Sequence, residues 1–195
     1  GREKKGSVYE GGLRVPSIIE YPSKFTPSRI SAPASSTDIY PTLLALIKIE
    51  IENQPPVDGI SLLPFLTGEK SKRSKPIGFW HNFTGGQSTR SDRIIKGLME
   101  AQQNGQPNPF PERVLKNVND FPKYTANSHQ SGHAALLDWP LKIHAIYSKK
   151  KTTWELYDLS RDPMETKLLN ELESKRFFRM KKQLTAWQKS VLKSH

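Results

Sequence analysis

The chain has 195 residues, no cysteine, and 30 Lys and Arg against 19 Asp and Glu, a formal charge of +11. Without cysteine it holds no disulfide, thiolate metal site or cysteine nucleophile, and no apolar run approaches the ~20 residues that span a bilayer. Four Trp, six Tyr and eight Phe exclude a disordered chain, while 15 Pro and 12 Gly put much of it in turns. The positive excess suits an anionic partner (nucleic acid, lipid or substrate) or solubility alone.

In chain order, the β-branched Val15, Ile18 and Ile19 after the twin glycines Gly11-Gly12 predict a strand over residues 13–21, entered through a glycine turn. A Ser/Pro/Ala loop over 22–36 leads to a helix with Asp38 as N-cap, Pro41 in its first turn, and Ile39, Leu43, Leu46 and Ile47 on one face. SLLPFLTG carries one helical turn ending at Gly68, and the charged stretch EKSKRSKP, 69–76, reads as solvated. It marks a boundary between a first subregion, 1–75, and a second, 76–195.

The second subregion opens with a strand, IGFWH at 77–81, followed by a long excursion over 82–130 that contains a helix at 91–103. Leu141, Ile143, Ala145 and Tyr147 alternate along LKIHAIY, so this strand has one apolar face. WELYDL pairs back on it through a turn that carries Lys149, Lys150 and Lys151. Phe177, Met180, Leu184, Trp187 and Val191 recur every three or four residues, which predicts a terminal helix packed on this hairpin. The 13–21 strand, beside a single helix, expects sheet neighbours from elsewhere.

No phosphate-cradling glycine loop, paired-histidine metal motif or nucleophile elbow is present, and the five histidines are scattered. Yet KKGSVYEGGLRVP, SSTDIYPTLL, DGISLLPFLTG and WELYDLSRDPMET, in that order and spacing, closely resemble the C-terminal third of the sulfatases, in the alkaline-phosphatase-like superfamily. GHAALLDWPLKIH also looks like that family's lysine-bearing strand before the last hairpin, and only 82–130 lacks a counterpart.

The resemblance implies an α/β fold: the C-terminal part of a mixed sheet, plus a small antiparallel sheet packed by the long terminal helix. It implies that the sulfatase nucleophile, a formylglycine, and the ligands of a divalent metal, usually calcium, lie in a catalytic region upstream of these residues. It also implies a periplasmic, secreted or lysosomal setting. Lys5, five residues before Glu10, matches the family lysine that contacts the sulfate, with Lys4 one residue out of register. An ammonium there offers a point charge and three donors to sulfate oxygens. Glu10 and Arg14 are read as structural, an ion pair with hydrogen bonds that fix the loop presenting Lys5. His81 and His133 are assigned to the cleft rim as substrate contacts. Asn82-Phe83-Thr84 fits a glycosylation sequon.

The expected partner is a sulfate ester, aryl or carbohydrate, and the positive charge would draw a sulfated polysaccharide toward the cleft. The alternative is a non-catalytic basic module for anionic glycan or nucleic acid. Against nucleic acid, the basic residues are not interleaved with aromatics as in single-strand binders. A phosphate-ester hydrolase of the same superfamily stands third.

Overall fold

The computed structural model describes residues 1–81, 91–109, 132–148 and 151–193. Most of the 82–130 excursion therefore lies outside the described residues. So do the Asn82-Phe83-Thr84 sequon and two lysines of the 149–151 run, Lys149 and Lys150.

Helix α1 is Glu10–Leu13, α2 is Ile39–Ile47 and α3 is Leu63–Leu66. Strand β1 is Ile77–His81, helix α4 is Ser91–Gln103, strands β2, β3 and β4 are His133–Asp138, Leu141–Tyr147 and Thr152–Asp158, and α5 is Ser174–Lys193. The strands form one antiparallel meander in the order β1-β2-β3-β4. Its register sets Phe79 against Ala135, His81 against His133, Ala135 against His144 and His144 against Glu155.

Because side chains alternate along a strand, that register divides the sheet into two unlike faces. One face is apolar: Ala134, Leu136, Leu141, Ile143, Ala145 and Leu156 are buried against Met180 and Leu184 of α5, with Phe177 and Trp187 at the margin. The alternation read in LKIHAIY and the repeat read in the terminal helix are both present. Each fully buried Leu, Ile or Met side chain at this contact contributes about 1.5–3 kcal/mol. Trp187 lies so close to β1 that a Cβ on Gly78 would overlap its indole ring. The outer edge of β4 is closed by Asn170, whose Oδ1 accepts from Leu156 N–H and whose Nδ2 donates to the Trp154 carbonyl, both at 2.8 Å.

The opposite face carries His81, His133, Lys142, His144, Glu155 and Tyr157 beside Leu137 and Ile77. Nothing in the helical repeat of the sequence indicates a cover for it. It is covered by the N-terminal segment, through Val8 and Tyr9, 3% and 6% exposed.

The first subregion departs from expectation in three places. Residues 14–21 form no strand, and Val15 and Ile18 are 76% and 92% exposed. A β-branched run becomes a strand only where a sheet edge completes its backbone hydrogen bonds, and the described residues offer none there. The mixed sheet expected over 1–75 is thus represented by short helices alone. Second, the chain enters α2 through a 3-10 turn, Ser36–Asp38, capped by Ser35, so Asp38 is not the side-chain cap of α2. Its carboxylate instead accepts from Ser35 N–H at 2.7 Å and Ile60 N–H at 2.8 Å.

Third, the charged stretch 69–76 is not wholly solvated. Arg73, its side chain 6% exposed, grips Asp38 with Nη1–Oδ2 at 2.7 Å and Nη2–Oδ1 at 2.9 Å. With Leu62 N–H donating to Thr42 Oγ1 at 2.8 Å, this ties two of the family-like motifs together. Burial alone would raise the Asp38 carboxyl, but the hydrogen bonds from Arg73, Ile60 and Ser35 outweigh it and hold the group below its usual range.

Candidate active site

Lys5 sits in a turn closed by Ser7 N–H donating to the Lys4 carbonyl at 3.0 Å, with Gly6 at φ +92. Positive φ at the third position of a turn is a conformation that glycine adopts without a Cβ penalty. The turn is clamped from its far end. Tyr9 stacks on His144 at 4.6 Å and meets His133 edge-on at 5.0 Å, Arg2 lies over its ring at 4.2 Å, and its hydroxyl donates to Glu155 Oε2 at 2.6 Å. Burial first, then the bond to Glu155, raise the Tyr9 and Tyr157 hydroxyls, so both remain neutral donors.

Glu10 and the twin glycines hold the turn differently from the expectation. Glu10 does not pair with Arg14, which is exposed; its Oε1 accepts from Lys142 Nζ at 2.7 Å. Gly11 and Gly12 sit in α1 rather than in a positive-φ turn. They are required because a Cβ at either would overlap a backbone carbonyl, those of Glu3 and Arg2 for Gly11 and that of Ser7 for Gly12.

Beneath the turn runs a buried polar chain. Lys142 Nζ also meets Glu165 Oε1 at 3.0 Å, His144 Nε2 meets the same oxygen at 2.9 Å, and His133 Nε2 meets His144 Nδ1 at 2.9 Å. Glu10 N–H donates to the other oxygen, Glu165 Oε2, at 2.6 Å. Glu165 reaches this place from a loop folded by Asp162, whose Oδ2 accepts from the N–H groups of Thr166 and Lys167, both at 2.7 Å. Burial would raise the Glu165 carboxyl, but its bond from His144, the Glu10 N–H and the Lys142 charge outweigh burial and lower it. Burial lowers both imidazoles, and the neighbouring His144 helps bring His133 down to about 4, so both are neutral near pH 7.

The three residues read from the sequence converge. Lys5, His81 and His133 border one cavity of about 310 Å³, together with Lys4, Ser7 and Tyr9. His81 and His133 face each other across the β1–β2 pairing, which explains how histidines so far apart in sequence reach one wall. The sequence reading does not include Tyr9, His144, Glu155 and Glu165. A signal for them is present in LKIHAIY and WELYDL, where Lys142, His144 and Glu155 alternate with the apolar residues and so share the opposite face of the β3–β4 pair. A second cavity, about 440 Å³, lies on α5 among Phe178, Lys181, Lys182, Thr185, Ala186 and Lys189.

Among the described residues no cluster of three or more His, Asp or Glu side chains is arranged to hold a metal ion. The carboxylates nearest the cavity are taken by Lys142, His144 and tyrosine hydroxyls. The described residues offer no ligand set for a divalent metal, whose ligands the resemblance implies lie upstream. Among the described residues no helix is long and apolar enough to cross a membrane.

No family model matches the chain. Among curated proteins, a sulfatase of Formosa agariphila is 29% identical over 196 residues, covering 95% of this chain and 29% of that protein. The uncharacterized sulfatase YdeN of Escherichia coli is 25% identical over 194 residues, covering 93% and 35%. Mouse steryl-sulfatase is 32% identical over 93 residues, covering 42% and 15%. Among solved structures, a phosphonate monoester hydrolase of Agrobacterium radiobacter is 20% identical, covers 83% of this chain and 25% of its own, and has a TM-score of 0.40.

The three curated relatives all carry the name sulfatase. The chain is similar to sulfatases along nearly its whole length, and it spans about a third or less of the length of these three curated relatives.

Proposed function

We propose that this chain is the C-terminal part of a sulfatase and forms one wall of its sulfate-ester site, with Lys5 on the sulfate. The observation that carries the reading is the convergence of Lys5, His81 and His133 on one cavity, within a chain similar to sulfatases along nearly its whole length. Lys5 is exposed on a turn whose base, at Val8 and Tyr9, is buried, so its ammonium is open to an anion. A cation there neutralises the sulfuryl oxygens as the S–O bond to the alcohol breaks. Lys4 adds positive field on the same wall. The formylglycine and the divalent metal, calcium by resemblance, belong to the remainder of such an enzyme.

The substrate is a sulfate ester, carbohydrate or aryl, and the +11 charge favours a polyanionic carbohydrate by drawing it toward the protein. The test is turnover by the intact protein of p-nitrophenyl sulfate and a set of monosaccharide sulfates, with p-nitrophenyl phosphate as control. Release of sulfate, with phosphate ester cleaved far more slowly, is the expected result. Salt-sensitive binding of polyanions without any hydrolysis would instead establish the basic-module reading.

A further inference from the structure

The buried chain under the cavity has a direction. Glu165 is a carboxylate and can only accept, so His144 must present Nε2–H to it at 2.9 Å. A neutral His144 then has a bare Nδ1, which accepts from Nε2–H of His133 at 2.9 Å. A neutral His133 in turn keeps its proton on Nε2 and leaves Nδ1 as a lone pair. The reverse assignment would set two lone pairs against each other at Glu165. No hydrogen bond to His133 Nδ1 is made among the described residues, and His133 borders the cavity that Lys5 also borders.

We propose that Glu165 and His144 are positioning residues that fix His133 as its Nε2–H tautomer, so that His133 Nδ1 accepts a hydrogen bond from a hydroxyl or N–H beside the sulfate of the bound ester. This rests on the reading of the cavity as a sulfate-ester site. Sulfate oxygens are acceptors and cannot bond a bare imidazole nitrogen, so the sulfate belongs with the lysines and the donor-bearing part of the ligand with His133. The site thereby asks for an ester with a neighbouring O–H or N–H, as in a sugar or a catechol, over one without.

The groups around the imidazole pair agree with its neutrality. Tyr9 packs on both rings from the N-terminal segment, Lys142 lies beside His144 on β3, and Glu155 on β4 is occupied by the hydroxyls of Tyr9 and Tyr157. Arg2, at 3.5 Å from Glu155 and over Tyr9, adds positive charge on the same side. His81 faces His133 across the strand pair.

Imidazole ¹⁵N spectra of the intact protein between pH 6 and 8 test the tautomer. Protonated Nε2 and bare Nδ1 are expected for both His133 and His144, with an N–N coupling across the hydrogen bond between them. A proton on Nδ1 of either ring, or an imidazolium, overturns the assignment. In His144→Ala the Nδ1–H form of His133 should become populated, a change that a merely structural role would not produce. Should that variant not fold, the wild-type spectrum decides alone.

The ligand is tested in the same sample with 4-nitrocatechol sulfate and p-nitrophenyl sulfate, which differ by one hydroxyl beside the ester. The Nδ1 resonance of His133 should move with the catechol ester only, and the preference for it in kcat/KM should fall about tenfold in His133→Ala. Movement with both esters or with neither overturns the hydroxyl contact. Release of the coloured phenol reports the sulfatase reading separately. A protein that cleaves neither ester but shows the Nε2–H tautomer keeps the positioning assignment and loses the function it serves.

Discussion

Glu165 is the residue on which the polar face turns. It is fully buried at positive φ, and one of its oxygens serves both Lys142 and His144. Removing it leaves a buried ammonium with Glu10 alone and a buried imidazole without the acceptor for its Nε2–H. Glu165→Ala should therefore cost about 3–5 kcal/mol, the range for breaking a buried pair by deleting one partner. Urea unfolding with an unchanged slope would measure it, and a loss below about 1 kcal/mol would contradict the network described.

His133 gives a pH dependence with a definite sign. Its folded pKa, about 4, lies below the ordinary value of 6.5, so between these values the unfolded chain binds a proton that the fold does not. Stability is fully present above about pH 6.5 and declines as pH falls toward 4, and His144 acts in the same direction. The lowered carboxyls of Glu165 and Asp38 extend the loss below their unfolded values near 4 as pH falls through their folded pKa values. A melting temperature unchanged between pH 7 and 4.5 would contradict this.

At the scale of elements, the sheet depends on how α5 seats against it. Trp187 occupies the space a side chain at position 78 would need, so Gly78→Ala must push the indole or the strand aside. A cost of about 1–3 kcal/mol is expected from such overpacking, measured by thermal or urea unfolding; a neutral result would show that Trp187 is not packed on β1. This element is legible because its apolar residues follow the helical period and those of β3 the strand period, each with one partner nearby in sequence. The strand expected at 13–21 fails for the converse reason. Its residues favour extended structure, but only a neighbouring strand satisfies the backbone, and composition cannot say whether one is present. Likewise the alternation in LKIHAIY does not show that Lys142 and His144 are covered, because the segment that carries Val8 and Tyr9 onto that face lies far away in sequence. Of the candidate site, the motif pattern indicates Lys5 and the rim histidines. The chain behind them depends on tertiary contacts from three separate segments.

At the scale of the molecule, two surfaces stand out among the described residues. One is apolar and exposed: Val15 and Ile18 in the N-terminal segment, and Ile39, Leu43 and Ile47, which form the apolar face of α2. Exposed apolar area of this kind marks a surface that protein normally covers. The chain expressed alone should self-associate in sedimentation velocity, and Ile18→Lys with Leu43→Lys should return it to monomer; a wild-type monomer at high concentration would contradict that reading. The other surface is the cavity beside the polar face, where an exposed lysine turn is bolted to a buried network.

The most direct test of that arrangement compares Lys5→Ala and Lys4→Ala in the intact protein, measuring kcat on the best sulfate ester found. A loss of about a hundredfold or more is predicted for Lys5→Ala, the scale for removing one donor from developing charge, with a much smaller loss for Lys4→Ala. Unimpaired turnover in Lys5→Ala would contradict the placement of Lys5 on the sulfate.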